Sequence, residues 1–193
     1  MFGARKDEWD HFVSLGLTHD LLPVVSNPQA IISPNSNLTA IGKVPSYYDK
    51  KGELVGISNW TNRRATEMGV AKWSANEDYG ICIQTRHLRA LDVDINTDLA
   101  DQVAEWISQF VPNPVFRTRD NSKKFLFPFF LEGEYQKRVI TIDEGIIEFL
   151  GNGQQFIAAG THPSGARYSL PLVTYPTLTA EDFEALFTHI ADM

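Results

Sequence analysis

A single cysteine, Cys82, occurs in the 193-residue sequence. One thiol cannot close a disulfide within the chain, and it cannot supply a cysteine-based zinc site. Long apolar runs are also missing: none reaches the 18 residues expected of a membrane-spanning helix. The start, MFGARKDEWD, is charged and lacks the apolar segment of a secretory signal, so a cytoplasmic location is expected. Basic residues are in deficit, with 17 Lys and Arg against 24 Asp and Glu and a net charge of -7. That balance argues against a protein that coats nucleic acid by charge alone. Internal repeats and low-complexity stretches are absent as well.

What remains is an ordinary globular composition, 43% hydrophobic and 21% charged, at a length that suits one domain with a sizeable core. The charge is uneven. Residues 176–193 carry four acids and no Lys or Arg, and residues 96–110 carry three acids. Residues 39–75 and 115–138 each hold six basic and three acidic groups. Basic clusters in the middle of the chain leave room for a local phosphate site.

Apolar periodicity predicts helices over 97–110 and 180–191, with Thr179 as N-cap of the second. Shorter helices are expected near 61–73, weakened by Gly69, and near 5–15. Strands are expected over 79–85 and 88–95, 115–119 and 124–130, 138–142 and 146–150, and 154–159. Residues 26–52, rich in Pro, Asn, Ser and Gly, read as a long ordered loop or a weak hairpin. The expected class is α/β or α+β, with helices on one face of a sheet.

The segment Arg89-Ala90-Leu91-Asp92-Val93-Asp94-Ile95 carries most of the chemistry. Strand alternation puts Leu91, Val93 and Ile95 on one face and Ala90, Asp92 and Asp94 on the other. The two carboxylates then stand ~6–7 Å apart along the strand. Like charges so placed repel unless a cation joins them, and hard divalent ions prefer oxygen ligands. The alternative is a solvated strand face. In Ile146-Ile147-Glu148-Phe149-Leu150, Glu148 is the one charge of an apolar strand. If the two strands are neighbours, three carboxylates meet on one patch, the ligand set of a two-metal site. Asp143 and Glu144 are rival acids, placed in a turn.

Phosphoryl chemistry also needs cations for the substrate's phosphates. The predicted hairpin from Arg117 to Phe127 supplies them: Arg117 and Arg119 share a strand face, and Lys123 or Lys124 opens the next strand. Lys43, in Gly42-Lys43-Val44-Pro45, is a second source. In the turn His162-Pro163-Ser164-Gly165-Ala166-Arg167-Tyr168, His162 is a candidate ligand or base, although a lone turn histidine is more often neither. Tyr168 either stacks on a base or packs.

In this order, the pieces resemble the primase-polymerase domain of the archaeo-eukaryotic primase superfamily, in the form found in phages and plasmids. Leu91-Asp92-Val93-Asp94 matches the family's first motif, a hydrophobic strand with D-x-D. Ser122-Lys123-Lys124 stands where the family has an S-x-H-like phosphate-binding element, without the histidine. Ile147-Glu148-Phe149 matches the third motif, an apolar strand with one acid. Residues 155–168, ending in His162-Pro163-Ser164-Gly165-Ala166-Arg167-Tyr168, match a further H-P-S-G-x-x-Y element. Gly42-Lys43-Val44-Pro45, Gly56-Ile57-Ser58-Asn59-Trp60 and Trp73 match upstream features. The resemblance covers roughly residues 20–175.

The resemblance implies a single catalytic domain over 1–193: an N-terminal α/β unit (1–75), a catalytic sheet of RNA-recognition-motif type (76–178) and a C-terminal helix (179–193), with the active site in the cleft. It implies template-directed transfer of nucleotides from (deoxy)nucleoside triphosphates to a primer 3′-hydroxyl. Asp92, Asp94 and Glu148 would hold two Mg²⁺ or Mn²⁺ ions. Lys124, Lys123, Arg117, Arg119, Ser122, His162, Ser164 and Lys43 would bind the nucleotide. Implied partners are a DNA template and primer, with a helicase or accessory helical region downstream in a longer chain, and no membrane. If the chain is phage-encoded, its place is the host cytoplasm. Two other classes compete. A metal-dependent nuclease would use the same acids; a replication-initiator endonuclease falls behind because no His-x-His occurs among His11, His19, His87, His162 and His189. A non-catalytic nucleic-acid-binding module would want exposed aromatics where Asp92 and Asp94 stand.

Overall fold

Three of the four helices form in the computed structural model, which describes residues 1–193, close to where periodicity expects them; the one expected near 61–73 starts only at Glu67, after the Thr66 cap. The four are α1 (Lys6–Ser14), α2 (Glu67–Ser74), α3 (Leu99–Phe110) and α4 (Ala180–Ala191). The Thr66 and Thr179 side chains accept from the N–H groups of Gly69 and Asp182, so α2 and α4 begin on true N-caps. Together with several antiparallel sheets these helices make a mixed α+β protein.

The chain divides into two units, residues 1–84 with 155–168 and residues 85–154 with 169–193. This differs from the expected division at 75 and 178, and hydrogen bonding explains it. In the first unit, β1 (Leu21–Val25), β4 (Tyr79–Gln84) and β10 (Gln155–Ala159) form one antiparallel sheet with β4 in the middle. Residues 79–84 and 155–159 therefore belong with the N-terminal segment. The C-terminal helix, expected to stand apart, supplies core to the second unit.

β1 was not expected from the sequence. Its run Leu-Leu-Pro-Val-Val is buried throughout, so it has no alternation to read. Pro23 is tolerated because β1 is an edge strand. The loop at 26–52 leads into a short hairpin of β2 (Ser46–Tyr48) and β3 (Leu54–Gly56). Asp49 closes its turn, its Oδ1 accepting from the N–H groups of Lys51 at 2.8 Å and Glu53 at 3.0 Å.

The second unit is built on β5 (Leu88–Ile95), β7 (Phe125–Phe130), β8 (Arg138–Ile142) and β9 (Gly145–Leu150), in the order β7-β5-β9-β8 and antiparallel throughout. The two-residue strands β6 (Thr118–Arg119) and β11 (Tyr168–Ser169) are minor elements. Leu91, Val93 and Ile95 are fully buried in one cluster with Val103 and Ile107 of α3 and Phe183, Leu186 and Ile190 of α4. At ~1.5–3 kcal/mol per fully buried side chain, this face anchors β5. The alternating Asp92 and Asp94 are thereby held on the opposite face.

Candidate active site

β9 lies beside β5, and the register is specific. Asp92 stands directly opposite Glu148, Val93 opposite Ile147, and Asp94 opposite Ile146. Direct partners in an antiparallel pair have Cβ atoms ~4.5–5.5 Å apart on one face of the sheet. Asp92 and Glu148 are thus neighbours, and Asp94 lies one step along the same face. The Asp143–Glu144 turn sets the register of β8 on β9, which brings Val139 opposite Glu148 on the other side. Gly145 follows with φ +152°, and a Cβ there would collide with the Asp94 carbonyl oxygen.

Cations line the patch. The Lys124 ammonium pairs with Asp94, and the Lys137 ammonium pairs with Glu148 at 2.5 Å. Lys137 was not singled out from the sequence. The available signal was parity: it shares a face with Val139, which is the β8 partner of Glu148. Asp94 is about half exposed, whereas the Glu148 side chain keeps 22% of its surface open, so the patch is reachable from solvent. Arg117 exchanges both backbone hydrogen bonds with Leu126, at 2.8 and 3.0 Å, and Leu126 is the β7 partner of Asp92. Arg117, Leu126, Asp92 and Glu148 therefore form one row across the sheet. Arg119 shares the parity of Arg117.

Lys123 points elsewhere. Its ammonium bonds Asp98 at 2.8 Å and Asp101 at 2.6 Å near the start of α3, and its N–H donates to Asn96 at 2.8 Å. These partners raise the lysine's pKa and lower that of Asp98. Ser122 closes the turn, its Oγ accepting from the Lys124 N–H at 3.2 Å.

The remaining candidates lie in the first unit. The Ser164 N–H donates to His162 Nδ1 at 3.0 Å, and the Ser164 hydroxyl is 2.8 Å from the same nitrogen. A backbone N–H can only donate, so Nδ1 is the acceptor and a neutral ring carries its proton on Nε2. The Lys43 ammonium lies 3.3 Å from Nε2. Two donors thus face each other, an arrangement that an anionic oxygen would bridge. Tyr168 is buried and meets the His162 ring edge-on at 5.7 Å, so it packs in the core.

No group of three or more His, Cys, Asp or Glu side chains stands assembled as a metal cage. Asp94 and Glu148 are instead turned to their lysines. The donor chemistry still fits a hard divalent ion: two carboxylates paired across strands, a third on the same face, and no sulfur or imidazole among them. The fully buried Arg89 is a second residue that the sequence left unassigned. It has the parity of the apolar face, and a charge there was the signal. Its guanidinium donates to the carbonyls of Thr85, Leu131 and Gly133 and to Asn152 Oδ1, tying together the loops that flank β5.

No protein-family model matches this chain, and no curated protein matches it.

Proposed function

We propose that the chain is the catalytic domain of a primase-polymerase, with the archaeo-eukaryotic primase fold, that transfers nucleotides to a primer 3′-hydroxyl under the direction of a DNA template. The observation that carries this reading is the direct pairing of Asp92 with Glu148, with Asp94 on the same face. A sheet face that opposes like charges in a fixed register is unfavourable without a cation. Asp92, Asp94 and Glu148 would hold two Mg²⁺ or Mn²⁺ ions. When bound, such ions lower the pKa of the primer hydroxyl and offset charge on the triphosphate.

The protein's own groups do the rest. A lysine that yields its carboxylate to a cation has three donors to offer to phosphate oxygens, and this is the role assigned to Lys124 and Lys137. Arg117 and Arg119 extend the positive charge along the same face. Lys43 and the Nε2–H of His162 form a second anion contact on the first unit. In the reaction, the 3′-oxygen bonds to the α-phosphorus, the bond to the β-phosphate bridging oxygen breaks, pyrophosphate leaves, and the hydroxyl proton passes to solvent. A DNA template, primer and deoxynucleoside or nucleoside triphosphates are the partners this reading requires. A helicase or helical accessory region would act with it.

The test is primer extension on a DNA template with Mn²⁺ or Mg²⁺. The wild-type chain should lengthen the primer, and Asp92→Asn should not. Primer shortening would instead identify a nuclease, and inactivity in both directions with intact DNA binding would identify a binding module.

A further inference from the structure

The first unit contains a cavity of about 510 Å³ that the catalytic reading leaves unused. We propose that it binds single-stranded nucleic acid, by stacking a base on Tyr47 and Trp73 and pairing the flanking phosphates with Arg63, Arg64 and Lys72. The chemistry of its walls carries this. The lining holds those three cations and no carboxylate, in a protein of net charge -7. None of the three forms an ion pair. Arg64 donates only to the carbonyls of Thr61 and Arg63, and Arg63 makes one long contact, 3.5 Å, to the Ser58 carbonyl.

The backbone beneath these side chains is fixed. Asn59 turns the chain with φ 50°, and a short 3₁₀ turn over Trp60–Asn62 delivers Arg63 and Arg64 to the rim. The Gln84 side chain donates to the Arg63 carbonyl at 2.9 Å, and the Ala65 N–H donates to the His19 carbonyl at 3.1 Å. Anchored backbone with exposed guanidinium groups is a surface built to hold charge in place. The aromatics divide by role. The Tyr48 hydroxyl is committed to Asp78 at 2.6 Å. Tyr47 is 41% exposed, and Trp73 is half-buried with the Trp9 ring 6.5 Å away.

The same walls favour a strand over a free mononucleotide. Reading a base edge needs unspent, fixed polar groups. Here the side-chain acceptors are engaged, the Thr66 hydroxyl oxygen as the α2 cap and Asn76 Oδ1 by the Asp78 N–H. Stacking plus phosphate contacts without edge readout is the sequence-tolerant mode of single-strand binding. A duplex keeps its base faces stacked away from such rings.

The measurement is fluorescence anisotropy of a labelled 12-residue oligothymidylate, without nucleotide or divalent ion, over a salt series. The result is independent of whether Asp92 and Glu148 carry catalysis. Wild-type chain should bind with a negative salt slope. Arg63→Ala/Arg64→Ala/Lys72→Ala should bind at least tenfold more weakly, with the slope reduced by about 2, since each single-strand phosphate contact contributes ~0.7. Tyr47→Ala should lose roughly fivefold or more, and Tyr47→Phe should keep the affinity. Lys6→Ala, which removes an exposed lysine paired with Asp10, serves as the charge control and should not change it. Circular dichroism of each variant checks the fold. Unchanged binding by the folded triple variant overturns the proposal. So does a loss of thymidine triphosphate binding, or of duplex binding, in the triple variant as large as its loss of the oligomer.

Discussion

Asp92 and Glu148 are direct cross-strand partners on β5 and β9, two acids opposed on a face that also carries Asp94. Their hydrogen-bonded strands hold them there whether or not a cation is present. A like-charge pair of this kind costs ~0.2–1 kcal/mol, so removing one charge should alter function far more than stability. Asp92→Asn is expected to abolish primer extension while shifting the melting temperature by no more than ~4 °C. Extension at near wild-type rate would remove Asp92 from the site.

Glu148→Gln should weaken divalent-ion binding, measured by titration calorimetry, along with turnover. Lys137→Ala should act in the opposite sense on the ion. It removes the ammonium that competes for Glu148. An exposed pair is worth ~0.2–1 kcal/mol, so the ion midpoint should fall by up to about fivefold. An unchanged midpoint in both variants would exclude Glu148 as a ligand.

The two adjacent lysines should separate cleanly. Lys124 pairs with Asp94 on the carboxylate face, and Lys123 is held by Asp98 and Asp101. Lys124→Ala should raise the nucleotide KM about ten- to hundredfold, the size of one lost charge-assisted contact to phosphate. Lys123→Ala should leave KM near wild type. Steady-state kinetics with nucleotide as the varied substrate decides this, and equal effects would reassign the hairpin.

Arg89→Lys should be severely destabilising although it keeps the charge. A lysine cannot reproduce the fork that serves three carbonyls and Asn152. A loss of about 3 kcal/mol or more is expected from stranded buried polar groups, read as a lower denaturation midpoint. A midpoint matching wild type would show that the loops do not depend on this residue.

Alkaline pH should loosen the first unit. Burial raises the Tyr48 phenol, with Asp78 adding to the shift, and burial also raises Tyr79 and the Cys82 thiol. In the unfolded chain these groups ionise near 8.5 for the thiol and 10 for the phenols. The folded chain holds them neutral, so their contribution is complete below about pH 8.5 and is lost as pH rises toward the folded values. Denaturation midpoints from pH 8 to 11 should therefore decline, more steeply past about pH 10. A flat profile would count against the buried, neutral state of these groups.

Much of this arrangement can be read from the amino-acid order alone. Alternation in Leu91-Asp92-Val93-Asp94-Ile95 assigns the acids to one face, because successive strand residues point to opposite sides. The α4 boundaries follow from its apolar stripe and the Thr179 cap, both local properties. Alternation cannot say which strand lies beside β5 or in what register. That was decided by hydrogen bonding between segments some fifty residues apart and by the close approach of Gly145 to the Asp94 carbonyl, and it alone pairs Asp92 with Glu148. The tertiary structure likewise decided the partners of Lys123 and Lys137, the burial of Arg89, and the return of residues 155–159 to the first unit. Each depends on a neighbour distant in sequence, and the local pattern of residues carries no record of that neighbour.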